Sequence, residues 1–400
     1  MPGSRSGAGS PGAQAPGGAR ARLASAGEAS RWDALVAANP GGGEVWMGDA
    51  YLSLKRREGR YRDYRVIVER DGLPPVAVGV LAKRVPLLGE WWHLPAGPAG
   101  EDVEAVLELA SAVARLARSR GAFLLKIEPR LDPSARDAIH AAGYRDTVRI
   151  IPNPSTVLVE LGDPRDPGSE AGLGSGEGSG PDSRLDDAEL LRRLGKKARN
   201  AITRAGRDGI VAERVPATDA NCAALFGLLS ETAEGRFVLR SERYYREFWQ
   251  SFEAAGAGQM FLAYRVGDGR DGGEGSRELV AGAFAMALGE KTTYKDGASI
   301  RAKTAYGASH ALQWEVIRWA RDRGARVHDL CGAPPADRAD DREHPLFGVG
   351  QFKRSFSPEI TDYAGAFDLP LRPAAYAFWV RLGDRIARRA SLALQKDPYY

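Results

Sequence analysis

Cysteine is scarce: the 400 residues contain two, Cys222 and Cys331. Two thiols cannot form a disulfide framework, and the count suits a reducing compartment. No apolar run approaches the ~18 residues of a membrane span. The N-terminus is rich in Gly, Ala, Ser and Pro and has no apolar core of a secretory signal. The expected location is therefore cytoplasmic. Histidine is also sparse, with five residues, and none falls in an H-E-x-x-H or paired-Cys pattern. His328 and Cys331 form a lone i, i+3 pair that reads as ordinary packing, so no metal is expected. Cys222 sits on an apolar helix face with no evident base nearby, which argues against a thiol nucleophile.

Nucleotide motifs are also missing. No G-x4-G-K-[ST] segment occurs, so no ATP-driven activation is expected. Gly267 to Gly272 matches G-x-G-x-x-G, but it lies between two predicted strands. A dinucleotide pyrophosphate needs a helix N-terminus there, so a hairpin loop is the better reading. The Q/R-x-x-G-x-G/A pattern of the acetyl-CoA loop in GNAT acetyltransferases occurs at Gln14 to Ala19 and at Arg270 to Gly275. One is in the tail and the other in the same hairpin loop, so no CoA is expected either.

What is present is a 43% hydrophobic chain, ample for a core and long enough for two domains. Its net charge of +4 permits a polyanionic partner without requiring one. Residues 1–30 contain no aromatic or β-branched side chain and read as a disordered tail. Residues 162–183, with Gly-Ser repeats, read as a flexible linker. The expected division is one subdomain from 31–161 plus 368–400 and a second from 184–367.

In the first part, 61–69 and 76–83 read as paired strands about Asp71-Gly72. A helix is expected over 103–119, stopped by Gly121, then strands at 122–127 and 156–161. The second part opens with a basic helix over 186–207. A strand at 210–215, helices near 219–233 and 241–255, and strands at 260–266, 278–288 and 292–295 follow. A helix over 304–323 leads to a strand at 327–330, and an amphipathic helix over 373–394 carries Arg381, Arg385, Arg388 and Arg389. The class is mixed α/β. Between Arg184 and Arg214 lie nine basic and five acidic residues. That run is either a solvated surface or a platform for RNA phosphates or an anionic precursor. The terminal arginine helix has the same readings, plus contact with an anionic membrane surface.

Several segments, taken in order, resemble the Fem-type peptidyltransferases. They are Tyr51-Leu52-Ser53-Leu54-Lys55, Leu94 to Pro98, Lys126-Ile127-Glu128-Pro129, Lys196 to Ile202, Arg236-Phe237 followed by Tyr244-Tyr245, Tyr294 to Ser299, Val327 to Gly332, and Gly350-Gln351-Phe352-Lys353. Ala96 stands where the family carries arginine, and Tyr51 where it usually carries tryptophan. The 202–210 stretch leaves no room for the helical-hairpin arm of some members.

The resemblance implies two GNAT-like acyltransferase subdomains without a coiled-coil arm, the last helix returning to the first. It implies transfer of glycine, alanine or serine from aminoacyl-tRNA to an amine of a lipid-linked or UDP-linked muropeptide precursor. Such a protein would act as a monomer at, or near, the inner face of the plasma membrane. The implied substrate-binding residues are Lys55, Arg236, Tyr294 and Phe352, and Lys353 bears on the reacting ester. Asp296 and Asp329 are the candidate bases. Aminoacyl-tRNA is a co-substrate, and no metal, ATP or CoA is implied.

The residue types suit that chemistry, since Arg and Lys are the usual partners of a diphosphate. Each also has a plainer reading: Lys353 as a cap on a surface helix, Arg236 as a structural ion-pair partner, Tyr294 as core, Asp329 as an acceptor for strand-end donors. The competing functions are a CoA-dependent N-acyltransferase, a tRNA-dependent ligase for a small peptide natural product, and a non-enzymatic RNA- or membrane-binding protein.

Overall fold

The computed structural model describes residues 18–151, 154–162, 185–233, 238–267, 277–300, 302 and 305–395. The Gly-Ser stretch beyond residue 162, the loop 268–276 and Arg236 lie outside the described residues.

Two sheets form the frame. The first runs β1 (Arg20–Leu23), β2 (Arg62–Arg70), β3 (Leu73–Val85), β4 (Gly89–Leu94), β5 (Ala122–Ile127), with β6 (Arg145–Asp146) at its far edge. A two-residue strand, β7 (Ser155–Thr156), precedes β8 (Leu158–Glu160). The second sheet uses β9 (Ile210–Val215), β10 (Gly258–Val266), β11 (Arg277–Leu288), β12 (Lys291–Ser299) and β13 (Val327–Asp329). Last come β14 (Thr361–Asp362), which pairs with β7, and β15 (Phe367–Pro370).

Each sheet repeats one plan. β3 and β4 are antiparallel; helix Val103–Ser119 then crosses over to β5, parallel to β4. β11 and β12 are antiparallel; helix Ala308–Asp322 crosses over to β13, parallel to β12. Parallel neighbours require such a crossover. An antiparallel strand from elsewhere then closes each sheet. β15 lies on β5, and β8 lies on β13.

Strand periodicity decides the layers. Val66, Val68, Val76, Val78 and Val80 face helix Val103–Ser119, whereas Ile67, Ala77 and Leu81 face the opposite core. In the second sheet, Phe261, Ala281, Ala283 and Ala285 pack with Leu312, Val316 and Ala320 of helix Ala308–Asp322. Met260, Leu262, Phe284 and Met286 turn the other way. They meet Leu225 and Trp249 in the same cluster that holds Leu52 and Leu81 of the first half. One core is therefore shared between the halves.

Four features depart from the sequence-based expectation. Residues 20–23 belong to the folded part as edge strand β1, because Ala21 and Leu23 can pack beside Val66 and Val68. Leu158–Glu160 lies in the second sheet, so the first half's chain completes its neighbour. The basic helix is broken into Asp187–Arg193 and Lys196–Arg207. Gly195 at the break donates its N–H to the Phe356 carbonyl at 3.1 Å, and a Cβ there would lie 2.3 Å from the Ser355 carbonyl oxygen. The terminal helix contains a π-helical turn, Trp379–Gly383, between Pro373–Phe378 and Asp384–Gln395. The chain passes from Arg207 to Ile210 with no inserted arm.

Candidate functional site

A cleft of about 430 Å³ opens between the halves, above the shared core. One wall comes from helix Asp49–Arg57, whose spacing places Tyr51 and Lys55 on one side. Lys55 is 5% exposed. Its Nζ donates to Glu58 Oε1 at 2.7 Å and lies 5.6 Å from the Tyr51 ring centre and 5.2 Å from that of Tyr244. Helix Glu242–Ala254 supplies the facing wall, starting from the Ser241 cap, which accepts from the Tyr244 N–H. Arg240 stacks 4.4 Å above the Tyr244 ring, and Tyr245 completes that side. Trp46, Tyr61 and Leu81 line the first half's side. Cations held over aromatic faces in partial burial are the kind of surface that binds a compact anion and stacks a planar group.

Lys295 is the third cation of the cleft. Across β11, Ala285 faces Tyr294 and Phe284 faces Asp296, which leaves Lys295 as the extra residue of a bulge. Bulges re-aim side chains in this way. Asp296 anchors it: Oδ1 accepts from Lys295 at 2.9 Å, and Oδ2 accepts from Trp249 Nε1 at 2.9 Å. Burial pulls the Lys295 pKa down, but the Asp296 carboxylate outweighs it and holds the group above the ordinary lysine range. Lys83, 5.0 Å over Tyr61, is the opposite case. Burial, then Arg60 and Arg240, lower it to about 7.

A second group of residues gathers where β12 and β13 end. Lys353, on helix Phe347–Arg354, is 6% exposed. Its Nζ donates to the Cys331 carbonyl at 2.8 Å and the Gly332 carbonyl at 2.9 Å, and lies 5.8 Å from the Tyr294 ring centre. Burial lowers its pKa to about 8. Cys331 has a φ of 58°, a left-handed conformation that a non-glycine residue adopts at a cost, and Lys353 holds that turn. Asp329 accepts from the Cys331 N–H at 2.7 Å and from the Thr156 hydroxyl. Phe352 packs between His310 and Phe356, at centroid distances of 4.9 and 5.3 Å. Burial pushes the Tyr294 phenol up.

Lys55 thus stands in the cleft, while Tyr294, Phe352, Lys353 and Asp329 gather near the β13 end. Lys295, next to Tyr294, connects the two groups: both it and Lys353 act electrostatically on the Cys331 thiol. A smaller recess beside the cleft, about 20 Å³, is lined by Arg130, Arg149 and Tyr363 and shares Ile151 with it. His328 is held between Thr292 and Gln313, both contacts at 2.8 Å, and among the described residues no three His, Cys, Asp or Glu side chains are placed to hold a metal ion.

The FemAB family model matches residues 272–382. This segment of the chain is similar to the FemAB family. It contains β11, β12, β13 and helix Phe347–Arg354, hence Tyr294, Lys295, Asp296, Asp329, Phe352 and Lys353. Curated relatives agree over a similar length. A lipid II:glycine glycyltransferase of Staphylococcus haemolyticus (strain JCSC1435) is 28% identical over 109 residues, 27% of this chain and 25% of that protein. The enzyme of the same description from Staphylococcus aureus (strain USA300) is 26% identical over 109 residues, again 27% of this chain and 25% of its own length. The alignment thus spans about a quarter of each of these relatives. The crystal structure of FemX superposes with a TM-score of 0.69 at 18% identity, covering 87% of this chain and 97% of that one. The fold therefore extends across both halves, well beyond the FemAB segment.

Sequence reasoning named Lys55 but missed Arg240 and Lys295 as cleft residues, and Lys83 behind the Tyr61 ring that lines the cleft. Arg240 lies four residues beyond Arg236 and immediately before the Ser241 cap of helix Glu242–Ala254. Lys295 follows Tyr294 directly, and strict strand alternation would have turned it away; only the bulge places it.

Proposed function

We propose that this chain transfers an amino acid from aminoacyl-tRNA to an amine of a lipid-linked peptidoglycan precursor, as a step in building an interpeptide bridge. The reading is carried by the cleft of Lys55, Arg240, Lys295 and the Tyr51, Tyr61, Tyr244 rings, in a chain that matches the FemAB family model over 272–382 and is similar over 109 residues to proteins named for lipid II. A diphosphate fits cations of this kind, and a sugar or base fits the rings.

In this reading the acceptor's diphosphate rests on Lys55, Arg240 and Lys295. The donor's ester end approaches the β13 end, near Lys353 and Tyr294. The acceptor nitrogen attacks the ester carbonyl, forming the C–N bond. The C–O bond to the tRNA ribose then breaks, the ribose oxygen takes up a proton, and the nitrogen loses one. The ester arrives already activated, so neither ATP nor a covalent enzyme intermediate is required. Alignment contributes most, about 7–11 kcal/mol in favourable cases. The Lys353 ammonium stabilises negative charge on the carbonyl oxygen or a tRNA phosphate. Asp296 and Asp329 are already engaged as acceptors, so a substrate carboxylate or water is the better proton acceptor.

The test is incubation of purified protein with a lipid-linked precursor and a mixed aminoacyl-tRNA pool, read by mass spectrometry. A mass gain of one or more residues that RNase abolishes is expected, with glycine the first donor to try. Modification that survives RNase and requires acetyl-CoA would overturn the reading.

A further inference from the structure

We propose that the C-terminal segment 373–395 is a surface anchor that seats this chain on an anionic lipid bilayer. Most exposed large apolar side chains on this protein are scattered, which is ordinary for a folded surface. Phe378, Val380, Leu382 and Ile386 break that pattern. They lie within nine residues of one another at 51%, 56%, 45% and 53% exposure. An apolar patch rimmed by polar groups marks an interaction surface.

Charge selects the occupant. Arg381, Arg385 and Arg389 recur at four-residue intervals on the same segment and are exposed. None has a carboxylate partner among the described residues. Asp384, the one acidic residue of the segment up to Gln395, is bonded to Arg388 at 2.8 Å. Exposed apolar side chains interleaved with arginines that no carboxylate neutralises are the composition of a helix lying in a lipid headgroup layer. A protein partner would need a matching acidic groove; an anionic bilayer offers apolar depth and negative charge together.

The anchor is rooted firmly. Tyr376 and Trp379 are 5% and 4% exposed, and Trp379 meets Phe123 edge-on at 5.9 Å. Both belong to the core cluster that seats helix Asp49–Arg57, the wall of the cleft. A π-helical turn lets Trp379 point inward while its neighbours stay outside. Gly383 is part of this: a Cβ there would lie 2.7 Å from the Trp379 ring. Membrane seating of this segment would bring the cleft to a lipid-linked acceptor.

The experiment is flotation of the full chain with vesicles of phosphatidylcholine alone and of phosphatidylcholine with phosphatidylglycerol. The chain should float with the anionic vesicles, not the neutral ones, and salt should weaken binding. Arg385→Glu/Arg389→Glu should reduce binding by at least about fivefold per arginine. Phe378→Ser/Leu382→Ser/Ile386→Ser should abolish it. These side chains are exposed, so both variants should keep the wild-type circular dichroism and melting temperature. Equal binding by wild type and variants, or none by wild type, would overturn the proposal. So would a concentration-dependent dimer lost in the serine variant without vesicle binding, since a second copy would then cover the face. Flotation needs neither donor nor acceptor, so its failure leaves the transfer reading intact. Conversely, absent transfer with intact flotation would remove only the transfer reading.

Discussion

The ends of the two parallel strand pairs, β4–β5 and β12–β13, sit at equivalent points of one repeated frame and hold charge in opposite ways. In the first, closing strand β15 places Asp368 directly opposite Lys126, and the two form a 2.9 Å ion pair with both side chains 5% exposed. Lys126 also donates to the Thr147 hydroxyl and the Val148 carbonyl. Beside it, the Glu128 carboxylate lies 3.3 Å from His93 and accepts the N–H groups of Ile150 and Ile151. In the second, closing strand β8 places Leu158 opposite Asp329. No charge is supplied from across the ladder, and Asp329 turns to Thr156 and the Cys331 N–H. Lys353 rests on carbonyl oxygens rather than on a carboxylate. A repeated backbone does not repeat its chemistry: one strand end is a closed, internally neutralised plug, and the other leaves cations beside an open cleft.

The strongest way to break this contrast is at the plug. Lys126→Met leaves Asp368 buried without its partner and should cost about 3–5 kcal/mol in denaturant unfolding. Lys126→Met/Asp368→Leu should recover most of that loss. A loss below about 1 kcal/mol in the single variant would show that the pair is not what closes this end.

The open end should behave differently. Lys55→Ala and Lys295→Ala should each lower kcat/KM by about 100-fold, close to 2.7 kcal/mol, and each should also lower the unfolding midpoint, because Glu58 or Asp296 loses its ammonium partner in a largely buried setting. Variants within about threefold of wild type in a transfer assay would place the acceptor elsewhere.

Arg149 sharpens the comparison further. Its Nη1 is buried without a hydrogen-bond partner among the described residues, and burial lowers its pKa. Removing an unpaired polar group from partial burial should help, so Arg149→Met should stabilise by up to about 1 kcal/mol. A destabilised variant would mean that the guanidinium is satisfied in solution.

The smallest expected effect is a proton. Lys83 titrates near 7 in the folded chain against an ordinary 10.5. Above 10.5 it is neutral in both states and costs nothing. As pH falls from 10.5 through 7, the unfolded chain takes up the proton first, so stability declines, and the penalty is constant below 7. Lys83→Met should therefore gain most at or below pH 7. Diphosphate binding at pH 8 would favour the charged form, giving a fractional proton uptake visible as a buffer-dependent heat in calorimetry. Heats that do not vary with buffer would separate Lys83 from the ligand.

Legibility followed locality. Helix Val103–Ser119 and strand Ala122–Ile127 were readable to the residue, because the apolar period and the Gly121 stop are short-range signals. Helices Asp219–Ala233 and Glu242–Ala254 were readable nearly as well. The break at Gly195 was not, since its cause is the Ser355–Phe356 backbone some 160 residues away in sequence. Of the site, Lys55, Tyr294 and Lys353 were all reached through the family resemblance. Arg240 and Lys295 were not reached, because a capping residue and a bulge decide where they point.

The amino-acid sequence alone determined the class of fold, most helices and strands, and the family resemblance, because periodicity, capping and turn chemistry act between near neighbours. Tertiary structure alone decided which half each closing strand completes, that Lys126 is neutralised and that Lys295 turns into the cleft. Those outcomes depend on cross-strand register between segments far apart in the chain, where one residue of slip exchanges the two faces of a strand.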